Sequence, residues 1–151
     1  MQATAQSKHE AAVLDAIFKN VKMASDSILN LMPKVQSQQL KSDLTVQLST
    51  YEAFASRAAK QLGKEGIKPQ EENWMTRMGA KWGTMMNTMK DSTTSHLVEM
   101  VIEGTTMGVN DMMEQLRVCK HAEVSDSVRH LAQDVLDYEE KVLRDMKEYL
   151  K

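Results

Sequence analysis

The chain has 151 residues and a formal net charge of −2, and it contains only 2 prolines, 6 glycines and 5% aromatic residues against 13 methionines. The length indicates one domain, residues 1–151, that can bury a substantial core. The near-balanced charge excludes sequence-independent nucleic-acid binding, which needs a basic excess to neutralise phosphates. So few turn-forming residues exclude a β-sandwich or barrel, and the composition predicts an all-α protein.

No stretch of the sequence approaches 18 consecutive apolar residues, so we expect no transmembrane segment. The first twelve residues are polar and lack the apolar centre of a signal peptide. A single cysteine, Cys119, excludes an internal disulfide. Together these features predict a cytoplasmic protein.

Apolar residues at alternating spacings of three and four predict two long amphipathic helices in the first half of the chain. The first runs from about residue 8 to 31, begins at a capping box formed by Ser7 and Glu10, and ends before Pro33. The second runs from about 36 to 62. Because the connection between them is short, we expect these two helices to be antiparallel neighbours.

The second half of the chain begins with a break around Pro69, followed by a shorter predicted helix at 74–89. Two further long helices are predicted at 95–118 and 126–150. About thirty residues separate the second and third long helices, where bundle loops usually take about 2–8. If the short helix carries the chain back along the bundle, these two long helices run parallel. The competing arrangement has the short helix packed on the outside as a fifth helix.

Four glutamates are predicted to face inward. Glu139 falls within the apolar stripe of the last helix, and Glu52 falls within that of the second. Glu99 and Glu103 lie one turn apart in the third long helix, beside methionines. An isolated buried carboxylate is costly, so several that converge indicate a shared proton, a metal or a basic partner. The alternative is that all four border the stripes and are solvated or paired with Lys and Arg.

This pattern of two helical hairpins, a long crossover and glutamates within the stripes resembles the ferritin-like superfamily over nearly the whole chain. In that superfamily, two helices each contribute one glutamate and two contribute Glu-x-x-His, and together they hold two iron or manganese ions. The corresponding segments here begin at Glu52 and Glu139. Ala55 and Val142 stand where the resemblance implies histidines.

A second resemblance involves the residues from Thr94 to Gly108. They begin Thr-Ser-His-Leu-Val-Glu-Met and end Gly-Thr-Thr-Met-Gly. This stretch resembles small uncharacterised ferritin-like proteins of bacteria. The resemblance implies a ferritin-like four-helix bundle with an additional helix in the crossover.

Two functions are compatible with this resemblance. The first is a non-enzymatic ferritin-like protein without a cofactor, which acts as a homo-oligomer or through partner binding. The second is a protein that binds iron, manganese or zinc on a reduced site made of Glu52, Glu99, Glu103 and Glu139. Because both expected histidines are missing, the sequence favours the first.

The short predicted helix carries large apolar side chains on one face. These residues are Trp74, Met78, Trp82, Met85 and Met89. We expect them to pack within the bundle, because methionine fills irregular gaps, and the same face is a candidate partner surface. Two other interpretations are a Cu(I) site at the Met-x-x-Met pairs Met75/Met78 and Met86/Met89, since thioethers are soft ligands, and peripheral membrane contact, since basic residues lie nearby.

Overall fold

The computed structural model describes residues 5–68 and 92–151. Within these ranges the chain forms four long helices and no strand. The helices are α1 (Ala5–Leu31), α2 (Gln38–Lys64), α3 (Thr94–His121) and α4 (Asp126–Lys147). Single 3-10 turns follow α1 at Met32–Lys34 and α4 at Glu148–Leu150. The predicted short helix at 74–89 lies outside the described residues.

Side-chain caps begin α2 and α3. The Ser37 hydroxyl accepts a hydrogen bond from the Leu40 amide, and the Thr93 hydroxyl accepts one from the His96 amide. Each bond satisfies one of the amides that the first turn of a helix leaves without a helical partner. Both helices therefore begin where a hydroxyl residue precedes the apolar stripe.

The start of α1 differs from the prediction. The helix begins at Ala5, so Ser7 lies inside it and does not act as its cap. The carboxylate of Glu10 instead accepts a hydrogen bond from the backbone N–H of Ser125, the residue that precedes α4. This bond fastens the start of α1 to the start of α4.

The same bond helps to fix the direction of each helix. Since Glu10 contacts Ser125, α1 and α4 begin at the same end of the bundle. A short connection makes α2 antiparallel to α1. Near the chain terminus, the hydroxyl of Tyr149 donates to the carboxylate of Asp43 close to the start of α2. Consequently α2 is antiparallel to α4 as well.

Residues 122–125 join α3 to α4, so these two helices are also antiparallel. It follows that α2 and α3 run in the same direction. The end of α2 and the start of α3 therefore lie at opposite ends of a bundle whose helices are roughly 35–40 Å long. The parallel arrangement predicted from the length of the connection is correct.

The core runs along the bundle axis, where α1 packs on α2, α3 packs on α4, and the two hairpins meet mainly through α1 and α3. Its fully buried members include Leu14, Ile17, Leu40, Leu44, Leu97, Leu131 and Val135. Each such side chain contributes about 1.5–3 kcal/mol by burial. None of the described helices combines the length and the apolar character that crossing a membrane requires.

Candidate functional site

All four helices contribute to a small cavity inside the bundle, which we call the interior cavity. Its volume is about 30 Å³, which leaves room for one or two water molecules. Apolar side chains form much of its wall, including Ile28 and Leu31 of α1 and Val101 of α3. Its polar lining includes Asn20 and Ser27 from α1, Gln47 and Tyr51 from α2, Thr105 from α3, and Glu139 from α4.

Glu139 is the acidic residue of this cavity, and its side chain is only 1% exposed. Burial, assisted by the negative charge of Asp111, raises the pKa of its carboxyl to about 9. The group therefore holds a proton at neutral pH. Nearby, burial raises the pKa of Tyr51, and so does the negative charge that Glu139 acquires at high pH. The phenol of Tyr51 is therefore neutral too. The interior cavity is polar but uncharged.

Asn20 connects α1 to α3 beside this carboxyl. Its side-chain nitrogen donates to the backbone oxygen of Gly108 at 3.0 Å and to Oδ2 of Asp111 at 3.3 Å. Both partners are acceptors, so the donor must be the amide nitrogen and the amide oxygen points elsewhere. Burial raises the pKa of Asp111, and the hydrogen bond from Asn20 opposes that rise.

Three oxygens of the cavity residues are buried without a hydrogen-bond partner. They are Oδ1 of Asn20, Oε1 of Gln47 and Oε1 of Glu139. The hydroxyl of Thr105 donates to the backbone oxygen of Val101. A buried acceptor without a partner costs about 1–3 kcal/mol. The cavity is therefore suited to a small hydrogen-bond donor such as water, or to a cation.

No family model matches the chain, and no curated protein matches it in sequence. A search of solved structures finds a dodecameric thioferritin, the bacterioferritin-related protein of Bacteroides fragilis. The match has a TM-score of 0.74 and covers 95% of this chain and 84% of that chain, at 12% sequence identity. The fold is ferritin-like. This confirms the predicted fold class, an all-α bundle with one long crossover.

Of the four glutamates predicted to face inward, the ferritin-like bundle buries only Glu139. Glu52, Glu99 and Glu103 are exposed, so the prediction of their direction is wrong. The buried stripe of α2 passes through Gln47 and on to Tyr51. Glu52 follows one residue later and is turned about 100° toward solvent.

The same reasoning explains α3. Its buried stripe passes through Val101, Thr105 and Gly108. Glu99 and Glu103 each lie two residues from Val101, which turns them about 200° around the helix and away from the core. Apolar residues on several faces of α3 concealed which face is buried.

The residues present do not fit a two-metal centre. Among residues 5–68 and 92–151 there is no group of three or more His, Cys, Asp or Glu arranged to hold a metal ion. The cavity offers one carboxylic acid, two carboxamides, a phenol and two hydroxyls. Ala55 and Val142, where the resemblance implies histidines, are buried apolar residues. Metal binding by Glu52, Glu99, Glu103 and Glu139 stays a prediction.

Sequence reasoning missed most of this site because its polar members carry no charge. Asn20 lies three residues after the core residue Ile17, and Gln47 lies three after Leu44. An uncharged polar residue three positions after a core residue could therefore have indicated that its side chain is buried. The spacing of Gly104 and Gly108 predicts close approach of a neighbouring backbone. The group nearest to an added Cβ at Gly108 is the side chain of Glu139.

The predicted partner surface cannot be placed in this bundle. Its members, Trp74, Met78, Trp82, Met85 and Met89, lie outside the described residues. Packing, partner binding, copper binding and membrane contact at this face all stay predictions.

Proposed function

We propose that this ferritin-like bundle works without a di-metal centre and acts as a homo-oligomer. The observation that carries the proposal is that, among residues 5–68 and 92–151, Glu139 is the one buried carboxyl. A di-metal centre needs several carboxylates whose charge balances the metal. A single carboxyl with a pKa of about 9 is neutral at pH 7 and packs in the core without a counter-charge.

Support for assembly comes from the fold and from the surface. The structurally similar protein of Bacteroides fragilis is a dodecamer. On this chain, Leu29 of α1 and Val46 of α2 are 49% and 61% exposed. Both belong to the α1–α2 hairpin and lie toward the end where α1 finishes and α2 begins. A second copy that packs on this end of the hairpin would bury both side chains.

The oligomeric state tests the assembly. Light scattering coupled to size-exclusion chromatography should give a mass that is a multiple of the chain mass. Leu29→Glu should shift the distribution toward smaller species, because it places a charge in an apolar contact. Asn30→Glu, at the neighbouring exposed position, is the matched control. A monomer at every concentration would contradict the proposal.

Elemental analysis tests the absence of a di-metal centre. Protein purified without chelator should contain iron, manganese and zinc at well below one equivalent per chain. Two equivalents of metal that disappear in Glu139→Gln would overturn this part of the proposal.

A second candidate function is the binding of one metal ion at a reduced site. The observation that favours it is the set of unpartnered oxygens on Asn20, Gln47 and Glu139. Because the pKa of Glu139 is about 9, a metal has to displace a proton at neutral pH. This competition lowers the apparent affinity about 100-fold at pH 7 compared with the ionised site.

A titration with Mn²⁺ or Zn²⁺ at several pH values tests this candidate. Affinity should rise about tenfold per pH unit up to pH 9 and should be lost in Glu139→Gln. The matched control combines Glu52→Gln, Glu99→Gln and Glu103→Gln on the surface. Binding that depends on these three residues would place the metal outside the interior cavity.

A further inference from the structure

An open groove of about 540 Å³ lies between the first half of α2 and the end of α4. We call it the α2–α4 groove. Its α2 side carries Gln39, Asp43, Val46 and Gln47, and its α4 side includes Tyr138, Lys141, Asp145 and Met146. Glu148 and Tyr149 close it beyond the end of α4. The groove is thus formed by acidic and amide groups together with aromatic and apolar walls.

Three hydrogen-bonding residues follow one another along α2. Gln39, Asp43 and Gln47 are spaced four residues apart, so they share one face with a rise of about 6 Å between neighbours. Gln47 is only 5% exposed, and its Oε1 has no hydrogen-bond partner. It lines both the groove and the interior cavity. This oxygen is itself buried, so a ligand in the groove reaches it only once the Gln47 side chain turns outward.

Asp43 is the acidic group at the middle of this face. Its carboxylate accepts a hydrogen bond from the hydroxyl of Tyr149, which is a neutral partner. Among the described residues it takes part in no ion pair. Burial and the neighbouring carboxylate of Asp43 raise the pKa of Tyr149, so this phenol stays neutral and cannot balance the charge.

The other acids of the groove already have cationic partners. Asp145 is paired with Lys141 at 2.6 Å, and Glu148 is paired with Lys151 at 2.8 Å. Within the part of the chain that the structure describes, Asp43 is therefore the groove carboxylate without a cationic partner. The groove is complementary to a cation, and its lone available carboxylate and aromatic walls suit an organic cation better than a divalent metal, which prefers several oxygen ligands.

We propose that the α2–α4 groove binds a primary alkylammonium ion. The ammonium group has three N–H donors, which Asp43 and the amide oxygens of Gln39 and Gln47 accept. The carbon chain of the ligand packs against Tyr138, which lines the α4 side of the groove. The groove shares Gln47 with the interior cavity and Val46 with the proposed assembly surface, so the ligand and a second copy would compete for Val46.

Calorimetric titration of the full chain with butylammonium chloride at pH 7 and low salt tests the proposal. We expect saturable binding, weakened at least tenfold in Asp43→Asn, because a charged hydrogen-bond acceptor is replaced by a neutral one. Asp134→Asn is the matched control. It also removes a carboxylate, but Asp134 lies on α4 and pairs with Arg57 outside the groove. Tetramethylammonium, which has no N–H donor, should bind more weakly than butylammonium.

Several results would overturn this inference. They are an absence of saturable binding, unchanged affinity in a folded Asp43→Asn variant, and equal binding of 1-butanol, which would show that only the carbon chain is recognised. A fourth is self-association of the protein that is lost in Asp43→Asn but is unaffected by added butylammonium. That result would mean that the groove receives a side chain of a second copy.

Discussion

Glu139 of α4 occupies the space that any side chain at position 108 of α3 would need. A Cβ atom added to Gly108 would overlap Oε2 of Glu139 and would lie 3.0 Å from its Cδ. The carboxyl is surrounded by the bundle and is 1% exposed, so it cannot move into solvent without leaving the core. The residues at positions 108 and 139 therefore restrict one another.

Gly108→Ala should destabilise the protein by about 1–3 kcal/mol, because the added methyl group overpacks the core. In an exposed helix the same change is stabilising by up to about 1 kcal/mol. Gly63→Ala, at a position in α2 with nothing within 4 Å of the added Cβ, is the matched control and should not destabilise. Urea unfolding monitored by circular dichroism measures both.

Combining Gly108→Ala with Glu139→Ala makes this prediction more specific. Removal of the carboxyl leaves room for the new methyl group. The loss of unfolding free energy in the double variant should therefore be smaller than the sum of the losses in the two single variants. Strict additivity of the two changes would show that the residues do not compete for this space.

The stability of the protein should fall with pH because of Glu139. Its pKa is raised from 4.5 to about 9 on folding, so between these values the folded state holds a proton that the unfolded state has released. The free energy of unfolding therefore decreases by up to about 1.4 kcal/mol per pH unit from pH 4.5 to pH 9, and levels off above. The stabilising contribution of the protonated carboxyl is fully present below pH 4.5.

Glu139→Gln isolates this effect, because the amide is neutral at every pH and similar in shape to the protonated acid. The difference in unfolding free energy between native protein and variant should grow in favour of the variant as the pH rises to 9. Chemical denaturation at pH 5, 7 and 9 provides the measurement. A difference that stays constant across this range would contradict the raised pKa.

Asn20→Asp should destabilise the bundle at pH 8 by about 3 kcal/mol or more. An ionised aspartate cannot donate to the backbone oxygen of Gly108 or to Asp111, and it adds a partly buried negative charge. Stability should partly recover at pH 5, where protonation restores a donor. Asn30→Asp, on the exposed surface of α1, should change stability by less than about 0.5 kcal/mol.

Cys119 should resist thiol reagents in the folded protein. Its side chain is 3% exposed, and burial raises the pKa of the thiol, so little reactive thiolate forms. Modification by an aromatic disulfide reagent should be slow in buffer and immediate in denaturant, as followed by absorbance. Rapid labelling under native conditions would indicate that the end of α3 opens frequently.

Most of the fold was predictable because each helix repeats its apolar residues at a helical period and because two of the connections are short. It was harder to predict which residues of each apolar stripe face the core. In α2, Leu48 and Gln47 both continue the spacing from Leu44, and hydrophobicity favours Leu48. Tertiary packing instead buries Gln47 and leaves Leu48 half-buried. This shift of one residue moves Glu52 from the predicted interior to the surface.

The candidate site was predictable only at Glu139, whose charge stands out within an apolar stripe. The cavity depends on how four helices meet, and Asn20 and Thr105 reach it from helices whose own sequences do not show which neighbour they face. The contact of Gly108 with Glu139 likewise becomes evident only when α4 is packed against α3. Contacts between helices distant in sequence therefore determine the part of the site that periodicity could not show.

The hydrogen bond from Ser125 to Glu10 has a consequence for the order in which the chain folds. It joins residues 115 apart in the sequence, and it serves the first turn of the last helix. During synthesis the α1–α2 hairpin can form early, but α4 gains this cap only after Ser125 has left the ribosome. The native bundle is thus completed by contacts between segments far apart in the sequence, and in a truncated chain that lacks α1 the Ser125 amide must find another partner, such as water.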